Sequence, residues 1–155
     1  CYRVSIMDAD TKTTIAIGSD HAGPALKAVL AEALRAAGHT VLDLGTDGTS
    51  RVDYPDYAHA VCRAVEQGQA RFGVLICGTG IGMSIAANRH AGIRCALAGE
   101  VTSARLGRQH NDANVLAMGA RVIGDAVALD ILATFLTTAY EGGRHDGRLA
   151  KLAAT

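Results

Sequence analysis

The sequence predicts a single-domain α/β fold, a three-layer sandwich with a five-stranded parallel sheet between layers of helices. Three observations lead there. Short β-branched runs alternate five times with longer Ala/Leu-rich stretches from residue 14 onward. The strand-like runs are almost continuously apolar, as strands covered on both faces require. Within the longer stretches apolar residues recur at helical spacing, as in Leu26, Val29, Leu30, Ala33, Leu34 and Ala37. Helices between successive strands imply parallel pairing through right-handed crossovers, a Rossmann-like arrangement.

TIAIGSD (14–20) is the first strand. Gly23-Pro24 opens a helix, with proline in a tolerated first-turn position, and Gly38 stops it. TVLDLG (40–45) is the second strand. A polar loop then leads into a helix over 57–67. RFGVLICG (71–78) is the most apolar strand and GTGIGMSIAANR turns it into a helix. IRCALA (93–98) and NVLAMG (114–119) are the last two strands, separated by a helix over 102–110. A long helix over 124–140 follows. Gly142-Gly143 breaks the chain before a short arginine-bearing terminal helix. Residues 1–13 lie outside this pattern and read as a leader or N-terminal extension. Residues 14–155 form the domain.

Composition removes several function classes. At 155 residues and 49% hydrophobic content the chain can bury one core. Fifteen basic residues balance fifteen acidic ones, so no general attraction to nucleic acid or anionic membrane follows. Aromatics are 4% with no Trp, too few for a base-stacking platform. No apolar run approaches 18 residues, as a membrane helix requires. Cysteines at 1, 62, 77 and 95 form neither a zinc spacing nor a disulfide scaffold. A cytoplasmic protein with reduced thiols is expected. Among the basic residues arginine outnumbers lysine twelve to three, a bias toward forked recognition of phosphate or carboxylate.

Four clusters carry chemistry. Ser19-Asp20-His21 ends the first strand, where an acid beside an imidazole can hold hydroxyls or phosphate, or move a proton. Asp20 would serve equally as a helix cap. Cys77-Gly78-Thr79-Gly80-Ile81-Gly82 follows the third strand. Its glycines let backbone N–H groups turn inward into an anion nest. The spacing matches neither a dinucleotide fingerprint nor a Walker loop. A thiol at the mouth of such a nest is placed where thiolate is favoured, although buried cysteine is common without a role. His110-Asn111-Asp112 precedes the fifth strand and offers an acid/base group with an amide partner, or simply a helix terminus. Finally, Arg144 and Arg148, four apart, share one helical face and can present two forks to one target; alone they would be a solvated surface pair. Arg121 is a further cation. His39, His59 and His90 lack acidic or thiol neighbours at useful spacing and read as surface residues. No His/Asp/Glu set has a metal-ligand spacing, so no metal or other cofactor is expected. Together these groups suit proton abstraction beside a carbonyl on a phosphorylated small molecule.

Six motifs stand in one order: Ser19-Asp20-His21, Asp53-Tyr54-Pro55, Ile76 to Gly82, Arg108 to Asp112, Asn114 to Gly119, and Glu141 to His145. In that order they closely resemble ribose-5-phosphate isomerase B, a family that also contains galactose-6-phosphate isomerase subunits and isomerases of other phosphosugars. The resemblance covers residues 14–152. It implies that Cys77 is the base shuttling a proton between C2 and C1 of the open-chain sugar, and that His110 opens the ring. It implies Thr79 as a hydroxyl moving protons at sugar oxygens, and Gly78, Gly80, Ile81 and Gly82 as the enediolate-stabilising loop. Asp20, His21 and Asn111 match sugar- and phosphate-binding positions. Arg121, Arg144 and Arg148 match phosphate ligands, and Tyr54 a pocket-lining ring. Members are homodimers or dimers of dimers with the site between subunits, His110, Asn111 and Arg121 coming from the partner, and they use no metal. Residues 47–52 depart from the family pattern. The implied reaction is interconversion of D-ribose 5-phosphate and D-ribulose 5-phosphate. Alternatives are a tetrose or hexose phosphate isomerase on the same site, or a non-catalytic phosphosugar-binding protein, which would not need Cys77 and His110 together.

Overall fold

The computed structural model describes residues 12–153, so the N-terminal extension expected over residues 1–13 lies almost wholly outside the described residues. Five strands alternate with helices: β1 (Thr14–Ser19), α1 (Pro24–Ala36), β2 (Thr40–Asp43), α2 (Tyr54–Glu66), β3 (Phe72–Cys77), α3 (Ile81–Ala87), β4 (Cys95–Leu97), α4 (Val101–Asn111), β5 (Val115–Gly119), α5 (Asp125–Thr137) and α6 (Arg144–Leu152). All strand pairs are parallel, in the order β2-β1-β3-β5-β4. The expected three-layer sandwich is observed.

Boundaries shift where a local interaction outweighs periodicity. α2 begins at Tyr54 rather than at residue 57, because Pro55 lies in the first turn, where a missing N–H is harmless. α5 ends at Thr137, short of the expected residue 140. Thr137 and Thr138 return their hydroxyls to the carbonyls of Ala133 and Thr134, and Thr138 is already extended. β4 is only three residues long. Arg94 N, just before it, donates to the Asn114 side chain, and Cys95 N to Asn88 Oδ1.

The two faces of the sheet carry separate cores. Ile15, Ile17, Val74, Ile76, Leu116 and Met118 pack against α1, α4 and α5. Ala16, Leu75, Cys77, Val115 and Ala117 pack against α2 and α3. Lys27 is the exception on α1. It is 2% exposed, and its ammonium lies 2.6 Å from both Asp43 and Asp47. His39, expected at the surface, is buried at the start of β2, where its Nδ1 meets the Thr13 backbone. His59 and His90 are not isolated surface residues either. Packing of α2 on α3 joins Glu66 Oε1, His90 and His59 Nδ1 in a chain of 2.6 and 2.7 Å contacts.

Parallel topology fixes where each junction lies. Every strand ends at one edge of the sheet, and the following helix carries the chain back to the other. The junctions after β1, β3 and β5 therefore share the C-terminal edge. The last turn of α4 lies at the opposite, N-terminal edge.

Candidate active site

At the C-terminal edge, β1 and β3 are neighbours, while their connections leave toward opposite sides of the sheet. In open α/β sheets this reversal of strand order leaves a crevice above the strand ends. Ser19 pairs with Ile76 across it, and Asp20 N donates to the Ile76 carbonyl. Asp20 is 7% exposed and accepts from Ala22 N at 2.9 Å. Its side chain shapes the turn and leaves α1 uncapped, so the capping role is not the one it fills. His21 Nδ1 accepts from Val52 N at 3.3 Å, which leaves the Nε2–H free to donate to a ligand.

The loop after β3 folds around the thiol. Gly80 N donates to Cys77 Sγ at 3.1 Å, and Ile81 N donates to Thr79 Oγ1 at 3.2 Å. Gly80 has φ +79°, and a side chain there would meet Leu97 and the Met118 backbone below 3 Å. Gly119 is needed for the same closeness: a Cβ would fall 2.6 Å from the Thr79 backbone. Tyr54, on the first turn of α2, lays its ring against Gly82. The described cysteines differ in kind. Burial first, and then the Glu66 charge, pushes the Cys62 thiol up to about 12. Burial does the same to Cys95. Only Cys77 receives an N–H bond at sulfur among the bonds described.

Arg121 departs from the expectation that it serves the partner's site. The turn after β5 is pinned to the end of β3, with Ala120 N on Cys77 O and Arg121 N on Gly78 O. The guanidinium lies over Gly78 of the same chain. The reason is register: Gly119 pairs with Cys77, so the residues that follow share one edge.

The other candidates gather elsewhere. His110 and Asn111 close α4 ahead of β5. Val115 pairs with Gly73, four residues before Cys77, so His110 is displaced from Cys77 by more than four strand residues, roughly 13 Å. Arg108 fixes this end of α4. It is 5% exposed, lies over the Phe72 and Phe135 rings, and bonds Asp112, Ala113 O and Thr138 O. α6 packs on α4, and Glu141 N donates to Gln109 O. Arg144 and Arg148 are therefore exposed beside His110, not folded over the strand ends that carry the thiol. The terminal segment is helical as expected, but it belongs to the opposite edge. There His110 stacks on His145 at 4.5 Å, and Glu141 Oε2 lies 3.5 Å from His145 Nε2. Sequence spacing could show Glu141 and His145 as an i, i+4 pair. It could not show their meeting with His110.

One chain thus presents two separate groups of candidate residues: the thiol with its glycine loop, His21 and Arg121 at one edge, and His110, Asn111, Arg144 and Arg148 at the other. Among the described residues no helix is long and apolar enough to cross a membrane.

The chain is similar in sequence and fold to known proteins. The profile of the family described as Ribose/Galactose Isomerase matches residues 15–152. The chain is 49% identical to ribose-5-phosphate isomerase B of Escherichia coli, over 90% of this chain and 94% of that one. It is 39% identical to galactose-6-phosphate isomerase subunit LacB of Clostridium acetobutylicum, over 88% of this chain and 79% of that one. The solved ribose 5-phosphate isomerase of Thermotoga maritima superposes with a TM-score of 0.92 at 47% identity, covering 94% of this chain and 100% of that one. This chain is a phosphosugar isomerase, an aldose–ketose isomerase, and it belongs to the ribose/galactose isomerase family.

Proposed function

We propose that the chain interconverts D-ribose 5-phosphate and D-ribulose 5-phosphate through an enediolate, in a site completed by a second copy of the chain. The observation that carries this reading is the separation of Cys77 and His110 to opposite edges of the sheet. A base and a ring-opening group must both reach one sugar within hydrogen-bond distance, and a single chain cannot offer them together. Apolar side chains flanking the thiol loop support a covered surface there. Ile81 and Ile85 on α3 are 52% and 55% exposed, and Leu97 on the edge strand β4 is 42% exposed.

In this mechanism His110 of the second copy protonates the ring oxygen as its bond to C1 breaks, and the anomeric hydroxyl gives its proton to water, leaving the open-chain aldehyde. Asn111 of the same copy orients the sugar. The Cys77 thiolate, held by the Gly80 N–H, takes the C2 proton. The electron pair moves into a C1–C2 double bond, and negative charge develops on the C1 oxygen. Backbone N–H groups of the Gly78 to Gly82 loop other than those bonded to Cys77 and Thr79 stabilise that charge as it develops. Thr79 passes a proton between the two sugar oxygens, and the Cys77 thiol returns its proton to C1. Asp20 binds sugar hydroxyls and Tyr54 covers the pocket. The phosphate is held by Arg121 and His21 from one chain, and by Arg144 and Arg148 from the other. No cofactor enters.

The likeness to the LacB subunit keeps a hexose phosphate as the second reading, and residues 47–52 are the segment where sugar length would be read. The test is a panel of four-, five- and six-carbon aldose phosphates scored for ketose formation. Highest kcat/KM on ribose 5-phosphate is expected. A higher value on a tetrose or hexose phosphate would replace the substrate, and no turnover on any would favour a binding protein.

A further inference from the structure

His110, Glu141 and His145 each offer a ligand atom, and the three atoms lie within 4.8 Å of one another. A second observation at the same place is independent of that spacing. His145 is 3% exposed, and its Nε2 is buried without a hydrogen-bond partner. Glu141 Oε2 is 3.5 Å away, too long for a good bond. Buried ring nitrogens are seldom left so. We propose that these three side chains bind a divalent cation of the zinc class, and that the ion inhibits the enzyme by occupying His110.

The donor set chooses the metal. Two imidazoles and a carboxylate suit zinc or cobalt, with three protein ligands and a fourth position open. Magnesium and calcium prefer all-oxygen shells and are not expected to bind. Bonds of about 2.0–2.2 Å place tetrahedral ligands roughly 3.4 Å apart, so the cluster must contract by a little over 1 Å. Glu141 can supply this movement: its side chain is 42% exposed and Gly142-Gly143 follows it. The stacked rings of His110 and His145 are tilted by 20° and need only turn one edge toward the ion. Arg144 opposes binding, since its guanidinium lies 3.9 Å from Glu141 Oε2. It is 66% exposed and can move into solvent. Once an ion holds the His110 lone pair, the imidazole can no longer transfer a proton. This inhibitory consequence rests on the proposed ring-opening role of His110; the binding site itself does not.

Zinc chloride titrated calorimetrically into the full chain, with cobalt chloride followed by visible absorption, tests the site directly. The expected result is one zinc per chain, with affinity at least tenfold weaker in Glu141→Gln and in His145→Asn and unchanged in Cys77→Ala. Magnesium should give no binding heat. Glu141 is exposed, so Glu141→Gln folds even if His145→Asn does not. Zinc affinity unaltered in Glu141→Gln, lost in Cys77→Ala, or absent at millimolar metal would overturn the proposal. In turnover assays zinc should slow reaction of the cyclic sugar, reversibly with chelator, and spare an open-chain substrate. Equal slowing of both, with binding still dependent on Glu141, would keep the metal site and remove the ring-opening role.

Discussion

Cys77 occupies a position that only two chain segments together create. β3 ends there, and the turn after β5 presses on its loop through Ala120, Arg121 and Gly119. The Gly80 N–H donates to the Cys77 sulfur, which fixes the side chain at the mouth of the loop. Cys77→Ala should therefore lower turnover about 10²–10⁴-fold while KM for the phosphosugar changes little. Exchange of the C2 proton into solvent measures the step directly, and near-normal exchange would assign the base elsewhere. His110→Asn should depress turnover of the cyclic sugar far more than that of substrate presented open-chain. Equal losses would make His110 a binding residue. Both residues stand out in the sequence as candidates because each sits in a short motif of unusual composition, a thiol ahead of a glycine-rich loop and a His-Asn-Asp helix end. Arg121 over Gly78 and the His110–Glu141–His145 cluster were not legible, since both arise from contacts between segments that no local spacing encodes. The His59–His90–Glu66 chain escaped for the same reason.

On the scale of elements, alternating strands and helices were readable because fully buried parallel strands leave unbroken apolar runs. What periodicity could not give was the placement of β5 between β3 and β4, or the side of the molecule on which α6 comes to rest. Nor did it identify Lys27, which occupies a helical core position and holds α1 to the end of β2 and the loop after it. Burial alone would lower the Lys27 pKa, but its hydrogen bonds to Asp43 and Asp47, with their charges, outweigh burial and raise it. Burial would likewise raise that of Asp43; the Lys27 bond and charge and the Gly45 N–H bring it below its ordinary value. A raised lysine contributes stability that is complete below its ordinary 10.5 and is lost as pH rises through the folded value. A depressed carboxylate contributes stability that is complete above 3.8 and is lost as pH falls through the folded value. Both contributions are therefore present across neutral pH. Lys27→Met should destabilise the protein by about 1–3 kcal/mol at pH 7, less than for a sealed pair because Asp47 remains exposed. The deficit should narrow in acid below the carboxylate range. Urea midpoints of parent and variant across pH test this, and a gap that stays constant into acid would show that packing, not charge, is what Lys27 supplies.

For the whole molecule, the decisive property is that Cys77 and His110 lie at opposite edges of the sheet. The arginines proposed to hold the phosphate follow the same division, with Arg121 on the thiol edge and Arg144 and Arg148 beside His110. Each charge-assisted contact contributes about 1.5–3 kcal/mol, so Arg148→Ala should weaken phosphosugar binding roughly ten- to a hundredfold and leave unphosphorylated ribose almost unaffected. In a site drawn from two chains, that loss belongs to the pocket holding the other chain's Cys77. Mixing inactive Cys77→Ala with inactive His110→Asn chains extends the argument to catalysis. A mixed dimer contains one site with both defects and one with neither. Random exchange of equal amounts makes half the dimers mixed, each with one of its two sites intact, so about a quarter of parental activity should return. Subunit exchange is confirmed separately by native mass spectrometry of a tagged partner. Exchange without recovery would mean that Cys77 and His110 act within one chain, which the length of sheet between them forbids unless the chain refolds around its substrate. The two-chain site would then be wrong, and with it the assignment of Arg144 and Arg148 to the partner's phosphate.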